Sequence, residues 1–535
     1  MRWWGWGEDG HDVALPEAAM ALLASELGID PSAQRPPVGL DEVRVPDPRL
    51  PAALRDRLAG LLGTERVRDD REARVTHALG RSYADLVRLR SGDASSAPDL
   101  VLYPDSAEQV AVLLSACADA RVAVVPFGGG TSVVGGVEPF ADGFAGAVSL
   151  DLGRLDRVVS IDGISLTARL EAGLLGPELE RRLAGEGLTL GHYPQSFEHS
   201  TVGGWVATRS AGQASTGYGR IDELVEGLRF IAPAGEIDAR EQPASAAGPD
   251  LRELLVGSEG VLGVICEATL RVRPVPELRR YEGWSFRSFA EGCEALRVLE
   301  QAGASPDVAR LSDEGETHLS MALAPGGSWT ERVLRRYLRM ARREGGCLAI
   351  VGFEGGEEDV ERRRLHASSL LRAGGGLALG RKPGAAWLRG RYGAPYLRDE
   401  LLERGVLVET LETATRWSNV QALYGAVREA LRAALGERAL VLCHASHLYR
   451  SGAALYFTFL AAQAEDALGQ WRTAKRAASD AIVAGGGTIT HHHAVGRDHL
   501  PWMRAEVGEL GLELLRAVKA RLDPAGVMNP GKLLP

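Results

Sequence analysis

Three glycine-rich segments carry hydroxyl side chains beside their glycines, a combination that suits phosphate binding. They are residues 126–132 (Pro-Phe-Gly-Gly-Gly-Thr-Ser), 195–205 (Gln-Ser-Phe-Glu-His-Ser-Thr-Val-Gly-Gly-Trp) and 257–263 (Gly-Ser-Glu-Gly-Val-Leu-Gly). Because glycine has no Cβ atom, backbone N–H groups in such segments can approach a pyrophosphate closely. One segment alone would equally fit a tight β-turn. Three in one region indicate a single large phosphate-bearing cofactor enclosed by a whole domain.

A second candidate for chemistry is the run of three histidines, His491, His492 and His493. Imidazole exchanges protons near neutral pH, so this run predicts proton transfer. On a strand, His491 and His493 would share one face and His492 would point away. We expect no metal, because no carboxylate or cysteine lies at ligand spacing, and Gly496 and Arg497 indicate a loop. A plain surface run of histidines stays open.

The sequence around the first glycine-rich segment predicts alternating strands and helices. Residues 100–103 and 122–125 predict strands on either side of a helix that begins at Ser106, and the second strand runs into the first glycine-rich segment. No G-x-G-x-x-G motif opens a helix, so this is not a Rossmann unit. Further strands are expected at residues 147–150, 158–161, 165–170, 228–232 and 268–273.

A second α+β domain is expected beyond a hinge at residues 274–276. There, arginine-rich helical sequence such as residues 329–343 alternates with apolar strands such as residues 347–353 and 455–459. A final helix is expected at residues 510–522.

The composition excludes several classes of protein. A net charge of −10 over 535 residues gives no basic field that would attract nucleic acid. The five cysteines form no C-x-x-C pair, which argues against a disulfide framework and favours a reducing compartment. We find neither the apolar core of a signal peptide in the first ten residues nor an uncharged apolar run of about 18 residues. We therefore expect a cytoplasmic protein that does not span a membrane.

Taken together, the motifs resemble those of the alkylglycerone-phosphate synthase family, within the vanillyl-alcohol-oxidase type of flavoprotein. The resemblance covers nearly the whole chain, and the triple histidine is more specific than the flavin-domain motifs. In chain order the motifs are W-x-G-W-G, F-x-H-S-T-V-G-G-W, G-S-E-G-x-L-G-V-I, Ala309-Arg-Leu-x-Asp313, Tyr396-Leu-Arg-Asp399, Glu412-Thr-x-x-x-Trp417, Gly452-Ala-x-x-Tyr456 and Gly487-x-x-x-His491-His-His493. The chain departs from the family at Val261, where threonine is common, and at Arg416 and Ser418, where relatives tend to have proline and aspartate.

The resemblance implies an α+β protein in which a two-subdomain PCMH-type FAD-binding domain carries an α+β substrate cap, with FAD bound non-covalently. The expected domains are an N-terminal helical extension (1–95), the FAD-binding domain (96–275), the cap (276–497) and a C-terminal segment that returns to the FAD domain (498–535). The residues that match the family's FAD contacts are Pro126, Phe127, Gly128, Gly129, Gly130, Thr131 and Ser132 at the pyrophosphate; Gln195, Ser196, Ser200, Thr201, Gly203, Gly204, Thr208, Ser210 and Ala211 around the flavin and ribityl chain; and Glu259, Gly260, Leu262, Gly263, Val264 and Ile265 on the adenosine side.

The resemblance also assigns roles to residues that would otherwise be ordinary. Tyr456 alone would be a core aromatic residue, and Arg310 and Arg398 would be surface or ion-paired arginines. By resemblance, Tyr456 and the three histidines carry protons, while the two arginines position a phosphate-bearing substrate. The implied reaction, a step of ether lipid synthesis, exchanges the acyl chain of acyl-dihydroxyacetone phosphate for a fatty alcohol through an adduct at the flavin N5 atom. His444 and His447 receive no role.

Two other functions remain open at this point. An FAD-linked 2-hydroxyacid dehydrogenase of the D-lactate or glycolate type would also need an arginine for its carboxylate and a histidine base. A flavin-binding homologue without turnover would act as a scaffold or sensor. The expected partners are a lipid or other small-molecule substrate, a membrane surface in peripheral contact and a second copy of the chain in a homodimer, but not nucleic acid.

Overall fold

The computed structural model describes residues 1–8, 10, 14–323 and 343–535. In this part of the chain most strands belong to sheets of four, five and seven strands. The mixed α+β architecture predicted from the sequence is confirmed. The helix predicted at residues 329–343 falls almost entirely outside the described residues.

The four-stranded sheet leads into the first glycine-rich segment. Its strands, in spatial order, are Val67–Arg68, Leu100–Leu102, Ala147–Asp151 and Ala123–Phe127. The last three run parallel, as expected when a helix returns the chain to the same end of a sheet. That helix, Ala107–Asp119, begins at Ser106, whose hydroxyl accepts a hydrogen bond from the Gln109 N–H at 3.2 Å. The predicted strand–helix–strand unit is confirmed, and it delivers Gly128 to the carboxyl end of a strand.

The five-stranded sheet is antiparallel and receives the third glycine-rich segment. Its strands, in spatial order, are Val158–Asp162, Thr167–Glu171, Val264–Arg271, Val225–Ala232 and Gly235–Ala239. The central strand begins four residues before the predicted 268–273, because its first residues are all buried and do not alternate. The α-helices described in this half of the chain, besides Ala107–Asp119, are Glu17–Leu27, Ala52–Leu62, Arg71–Thr76, Tyr83–Arg90, Gly176–Gly185, Val202–Ala207, Ser215–Tyr218, Ile221–Leu224 and Leu251–Leu255.

The seven-stranded antiparallel sheet forms the second α+β unit, and two of its registers matter for the site. In spatial order its strands are Leu377–Gly380, Leu278–Phe286, Cys347–Gly355, Val308–Ser312, Leu440–Tyr449, Gly452–Ala462 and Val406–Arg416. Tyr456 is paired with His444 on one neighbouring strand and with Glu412 on the other. The helices around this sheet are Phe289–Gln301, Glu314–Leu323, Glu357–Ala373, Arg381–Gly390, Ala394–Glu403, Val420–Leu435 and Ala467–Ala484.

The N-terminal residues pack against the second α+β unit. Trp6 is buried, and its backbone N–H donates a hydrogen bond to Asp399 at 2.7 Å. Helix Glu17–Leu27 buries Leu23 in a cluster with side chains of the seven-stranded sheet, including Leu442. The opening tryptophan motif is therefore built into the core between chain segments that are distant in sequence.

The C-terminal residues lie along the edge of the four-stranded sheet. After helix Met503–Leu522, the carbonyl of Val527 accepts from the Val124 N–H at 2.8 Å, and the Asn529 N–H donates to the Val124 carbonyl at 2.8 Å. The Lys519 ammonium group donates to the carbonyls of Val261 and Met528, both at 2.7 Å, and to Asp523 at 2.5 Å. None of the described helices is long and apolar enough to cross a membrane.

We expect replacement of Lys519 by methionine to destabilise the protein by about 3 kcal/mol, because it leaves buried Asp523 without its ion partner. Chemical denaturation followed by fluorescence measures this change. Lys382→Met is the matched control, since Lys382 is exposed on a helix. Equal stability of the two variants would contradict the anchoring role of Lys519.

Candidate active site

A cavity of about 510 Å³ is lined jointly by the glycine-rich segments and by the second α+β unit. The lining includes every residue predicted to contact FAD except Leu262, and it includes Arg310, Arg398, Tyr456, His492 and His493. The Leu262 side chain turns into the hydrophobic core of the five-stranded sheet, and its contact with FAD stays a prediction. His491 also lies outside the lining.

The first glycine-rich segment forms a narrow cradle that tolerates no side chain. A Cβ atom on Gly129 would come within 1.7 Å of the His199 carbonyl oxygen, which belongs to the second segment. Gly130 has φ +66°, a conformation that favours glycine. The two segments therefore meet backbone to backbone, which leaves N–H groups free to face a phosphate.

Several hydroxyls of these segments already have partners within the protein. The Ser200 hydroxyl accepts from the Trp205 indole at 2.7 Å, Thr201 caps the following helix, and the Thr208 hydroxyl donates to the Gly204 carbonyl. Hydroxyl-rich sequence here thus serves the fold as well as a ligand.

Two other polar atoms in the cavity wall indicate a bound polar group more directly than these hydroxyls do. The Ser258 hydroxyl and the Gln213 side-chain oxygen are buried without a hydrogen-bond partner among the described residues. Buried polar atoms are normally paired, so these two fit a cofactor with many polar groups. Gln213 was not predicted, since it stands outside any glycine-rich motif. Together with the cradle, these atoms fit FAD.

Glu259 ties the third glycine-rich segment to the chain that follows the histidines. Its carboxylate accepts from the N–H groups of Val495 at 2.8 Å and Gly496 at 2.7 Å. Burial raises the pKa of Glu259 to about 7. The Glu259 side chain thus fixes the loop that follows the histidines. Ser258 and Gly260, on either side of it in the chain, line the cavity.

The three histidines are held by one buried carboxylate, that of Glu412. It accepts from the backbone N–H groups of His491, His492 and His493 at 2.5, 3.1 and 2.8 Å, and from the Thr490 hydroxyl at 2.7 Å. Burial alone would raise the pKa of Glu412, but the adjacent histidines and these hydrogen bonds hold it well below its ordinary value. Glu412 was missed as a functional residue, although its place in the Glu412-Thr-x-x-x-Trp417 motif is a usable signal.

The alternation that a strand would impose on the histidines does not apply, because residues 491–493 form a bend. His492 and His493 both line the cavity, whereas His491 packs against the rings of His447 and Tyr449. Burial lowers the pKa of His493 and lowers the pKa values of His491 and His492 well below their ordinary value. The imidazoles are therefore neutral at working pH, and each offers one donor and one acceptor nitrogen.

Tyr456 lies in a polar group that also contains Arg310. Its ring stacks on His444 with centroids 4.8 Å apart. His444 Nδ1 is 3.1 Å from Glu316, and the same carboxylate oxygen accepts from Arg310 at 2.7 Å. Burial alone would raise the pKa of Glu316, but His444 and Arg310 lower it to about 2. Arg310 is half-buried and keeps donors for the cavity, so it can bind an anion there.

Arg398 is buried and more fully engaged than Arg310. Its guanidinium donates to the Arg81 carbonyl at 3.0 Å and to Glu409 at 3.1 Å. Burial raises the pKa of Tyr456, while Thr410 and Arg398 oppose that rise. Arg398 therefore places a fixed positive charge beside the tyrosine hydroxyl.

The same cavity continues into an apolar branch. Leucines contributed by helices Glu17–Leu27 and Glu314–Leu323, and by two strands of the seven-stranded sheet, line it; they include Leu23, Leu319 and Leu442. The strands and the helices form this apolar part of the cavity wall together. Such a surface suits a hydrocarbon chain.

Comparisons with known proteins agree with this architecture. A family model described as an FAD binding domain matches residues 98–239, and one described as the C-terminal domain of FAD linked oxidases matches residues 275–533. The solved structure of p-cresol methylhydroxylase with substrate bound shares the fold, with a TM-score of 0.68 at 14% identity over 90% of this chain and 96% of that one. The molecule is an FAD-dependent enzyme with the fold predicted from the sequence.

More similar relatives identify the family. Alkyldihydroxyacetonephosphate synthase of Dictyostelium discoideum is 35% identical over 514 residues, which cover 94% of this chain and 84% of that relative. A solved structure of an alkyldihydroxyacetonephosphate synthase matches with a TM-score of 0.87 and 31% identity, over 100% of this chain and 99% of that one. The chain belongs to the alkyldihydroxyacetonephosphate synthase family, also called alkylglycerone-phosphate synthase, and its cofactor is FAD.

We expect Gly129→Ala to abolish FAD binding, because the new Cβ atom would collide with the backbone carbonyl of His199. The ratio of flavin to protein absorbance in the purified variant measures the loss. Gly163→Ala is the control, since no atom lies within 4 Å of its added Cβ. A fully flavinated Gly129→Ala protein would contradict the cradle.

We expect Glu412→Gln to lose about 3–5 kcal/mol of stability, since an amide presents fewer acceptors to three buried N–H groups. Because the folded pKa of Glu412 is depressed, its contribution is fully present above the pKa of an unfolded glutamate, about 4.3. It is lost as pH falls through the lower folded value. Denaturation curves from neutral to acidic pH should therefore converge for wild type and variant. Exposed Glu294→Gln should match wild type throughout.

Proposed function

We propose that this protein exchanges the acyl chain of acyl-dihydroxyacetone phosphate for a fatty alcohol, releasing a carboxylate and forming an ether-linked product. One observation carries this proposal: a single cavity joins the glycine cradle, the proton-carrying side chains and the apolar branch. A substrate with a phosphate head, a reactive ketone and a long chain uses all three parts. When bound, FAD supplies a nucleophilic ring nitrogen, N5.

Arg310 is the proposed phosphate contact. Its guanidinium faces the cavity with Glu316 as its ion partner, and charge-assisted hydrogen bonds to an incoming phosphate suit its remaining donors. Arg398 is held by Glu409 and the Arg81 carbonyl, so it contributes a fixed charge beside the reacting group.

Tyr456, His492 and His493 are the proposed proton carriers. A base must remove the proton from the carbon beside the ketone, and a donor must return one after the alcohol has added. Neutral imidazoles accept a proton more readily than imidazolium ions, and the charge of Arg398 favours the ionised form of Tyr456. His491, outside the cavity wall, acts through His492.

The leading alternative is an FAD-linked dehydrogenase for a 2-hydroxyacid. Its small carboxylate substrate would use the arginines and histidines but not the apolar branch, so the cavity favours the lipid reaction. A non-catalytic scaffold or sensor would need neither the buried histidines nor Tyr456 to be intact.

We further propose that the protein is cytoplasmic and contacts a membrane peripherally. Five cysteines are buried and unpaired, which supports a reducing cytoplasmic setting. The C-terminal helix exposes Val507, Leu510 and Leu514, and this apolar surface supports peripheral contact with a membrane that supplies lipid. The homodimer stays a prediction from the sequence.

Anaerobic addition of acyl-dihydroxyacetone phosphate should bleach the visible absorbance of the flavin, and a fatty alcohol should restore it with release of ether product. Reduction by D-lactate or glycolate with dye turnover would instead support the dehydrogenase. A protein that responds to neither substrate, and whose cellular role survives Tyr456→Phe and His492→Ala, would support the non-catalytic class.

We expect Arg310→Gln to raise KM for the phosphate-bearing substrate about 10- to 100-fold, since a hydrogen bond to a charged group contributes about 1.5–3 kcal/mol. FAD content should stay at the wild-type level. Steady-state kinetics with varied substrate measure the change, and Arg297→Gln, at a half-buried helix arginine paired with Glu294, is the matched control. An unchanged KM would contradict a phosphate contact at Arg310.

A further inference from the structure

A chain of hydrogen bonds leads from the cavity wall away from the site. His492, which lines the cavity, shares a hydrogen bond between its Nδ1 and the Nδ1 of His491, at 2.9 Å. The Nε2 of His491 shares another with the Tyr449 hydroxyl, at 2.5 Å. His491 and Tyr449 lie outside the cavity lining, so the chain connects the cavity to another place in the protein.

That place is near the protein surface. Tyr449 is half-buried at the end of strand Leu440–Tyr449, and exposed Arg450 follows it. Burial raises the pKa of Tyr449, and the half-buried Arg220 guanidinium, itself held by Asp222 at 2.9 Å, opposes that rise. The backbone carbonyl of Tyr449 accepts from the Trp417 indole at 2.9 Å, which fixes the turn. The phenol is therefore held firmly at the outer end of the chain.

We propose that His492, His491 and Tyr449 form a relay that exchanges the substrate-derived proton with solvent, a role that rests on the proposed function. His492 accepts a proton at Nε2 and gives its Nδ1 proton to His491 Nδ1. His491 then gives its Nε2 proton to the Tyr449 oxygen, and the Tyr449 hydroxyl proton passes to water. One proton enters and one leaves, both histidines change tautomer, and no net charge remains in the chain.

The electrostatic surroundings suit such a relay. Burial lowers the pKa values of His491 and His492 and raises that of Tyr449 to about 12, so all three groups are neutral before the transfer. A neutral imidazole has one donor and one acceptor, as the relay requires. The charged groups beside the chain, Arg220 and Glu412, are each held by other partners.

A metal ion is the other chemistry that these rings allow, since nitrogens of His447, His491 and His492 lie within 4.8 Å of one another. The geometry favours the relay. Two nitrogens on one tetrahedral zinc ion lie about 3.3 Å apart, whereas the Nδ1 atoms of His491 and His492 are at hydrogen-bonding distance, 2.9 Å.

Tyr449→Phe breaks the relay at its outer end while leaving the cavity wall intact. With substrate deuterated at the carbon beside the ketone, wild type in ordinary water should lose the label to solvent. The variant should retain a several-fold larger share of deuterium in the ether product. The abstracted deuteron cannot leave through the broken relay, so it returns to the substrate carbon. We expect kcat to fall about 10- to 100-fold, with KM and FAD content unchanged. Tyr103→Phe, at a half-buried tyrosine outside the cavity lining, is the control.

The outcomes separate this inference from the proposed function. If wild type makes ether product and Tyr449→Phe matches its label loss and kcat, the relay is wrong and the function stands. If wild type makes no ether product, the function is wrong, and nitrogen NMR of labelled histidines tests the chain directly. Tyr449→Phe should shift the His491 Nε2 resonance, and an unchanged spectrum would contradict the hydrogen bond on which the relay depends.

Discussion

The carboxylate of Glu412 gives the site its form. Buried at 2% exposure, it accepts hydrogen bonds from three consecutive backbone N–H groups and one hydroxyl. A bend of three histidines has no sheet or helix partners of its own, so without this acceptor its N–H groups would be buried and unpaired. Because the carboxylate binds the backbone, the imidazole rings remain free to face the cavity, each other and Tyr449.

The cavity is assembled from segments that are distant in the chain, and hydrogen bonds from buried charged side chains link these segments. Glu259 links the third glycine-rich segment to the loop after the histidines. Arg398 and Glu409 link the second α+β unit to the Arg81 backbone. These contacts place a phosphate-binding cradle, neutral proton carriers and an apolar branch around one space. That division suits a lipid reaction in which polar and apolar parts of the substrate are bound at once.

The cofactor half of the site was predictable because its signals are local. Glycines that follow strands report close backbone approach, and nearly all of the predicted contacts line the cavity. The other half depends on register: His444, Tyr456 and Glu412 lie on three strands whose pairing no local pattern specifies. The orientation of the histidines could not be read from alternation, because hydrogen bonds to Glu412 impose a bend there. Leu262 shows the same limit on a smaller scale, since Gly260 and Gly263 line the cavity while its side chain faces the core.

The decisive experiment is a crystal structure of the flavin-loaded protein. It should show the isoalloxazine ring in the cavity with His492, His493 and Tyr456 around the reactive face, and Glu412 still accepting from the three histidine N–H groups. An isoalloxazine ring bound elsewhere, or a histidine loop released from Glu412 and turned away from the ring, would show that Glu412 does not organise the active site.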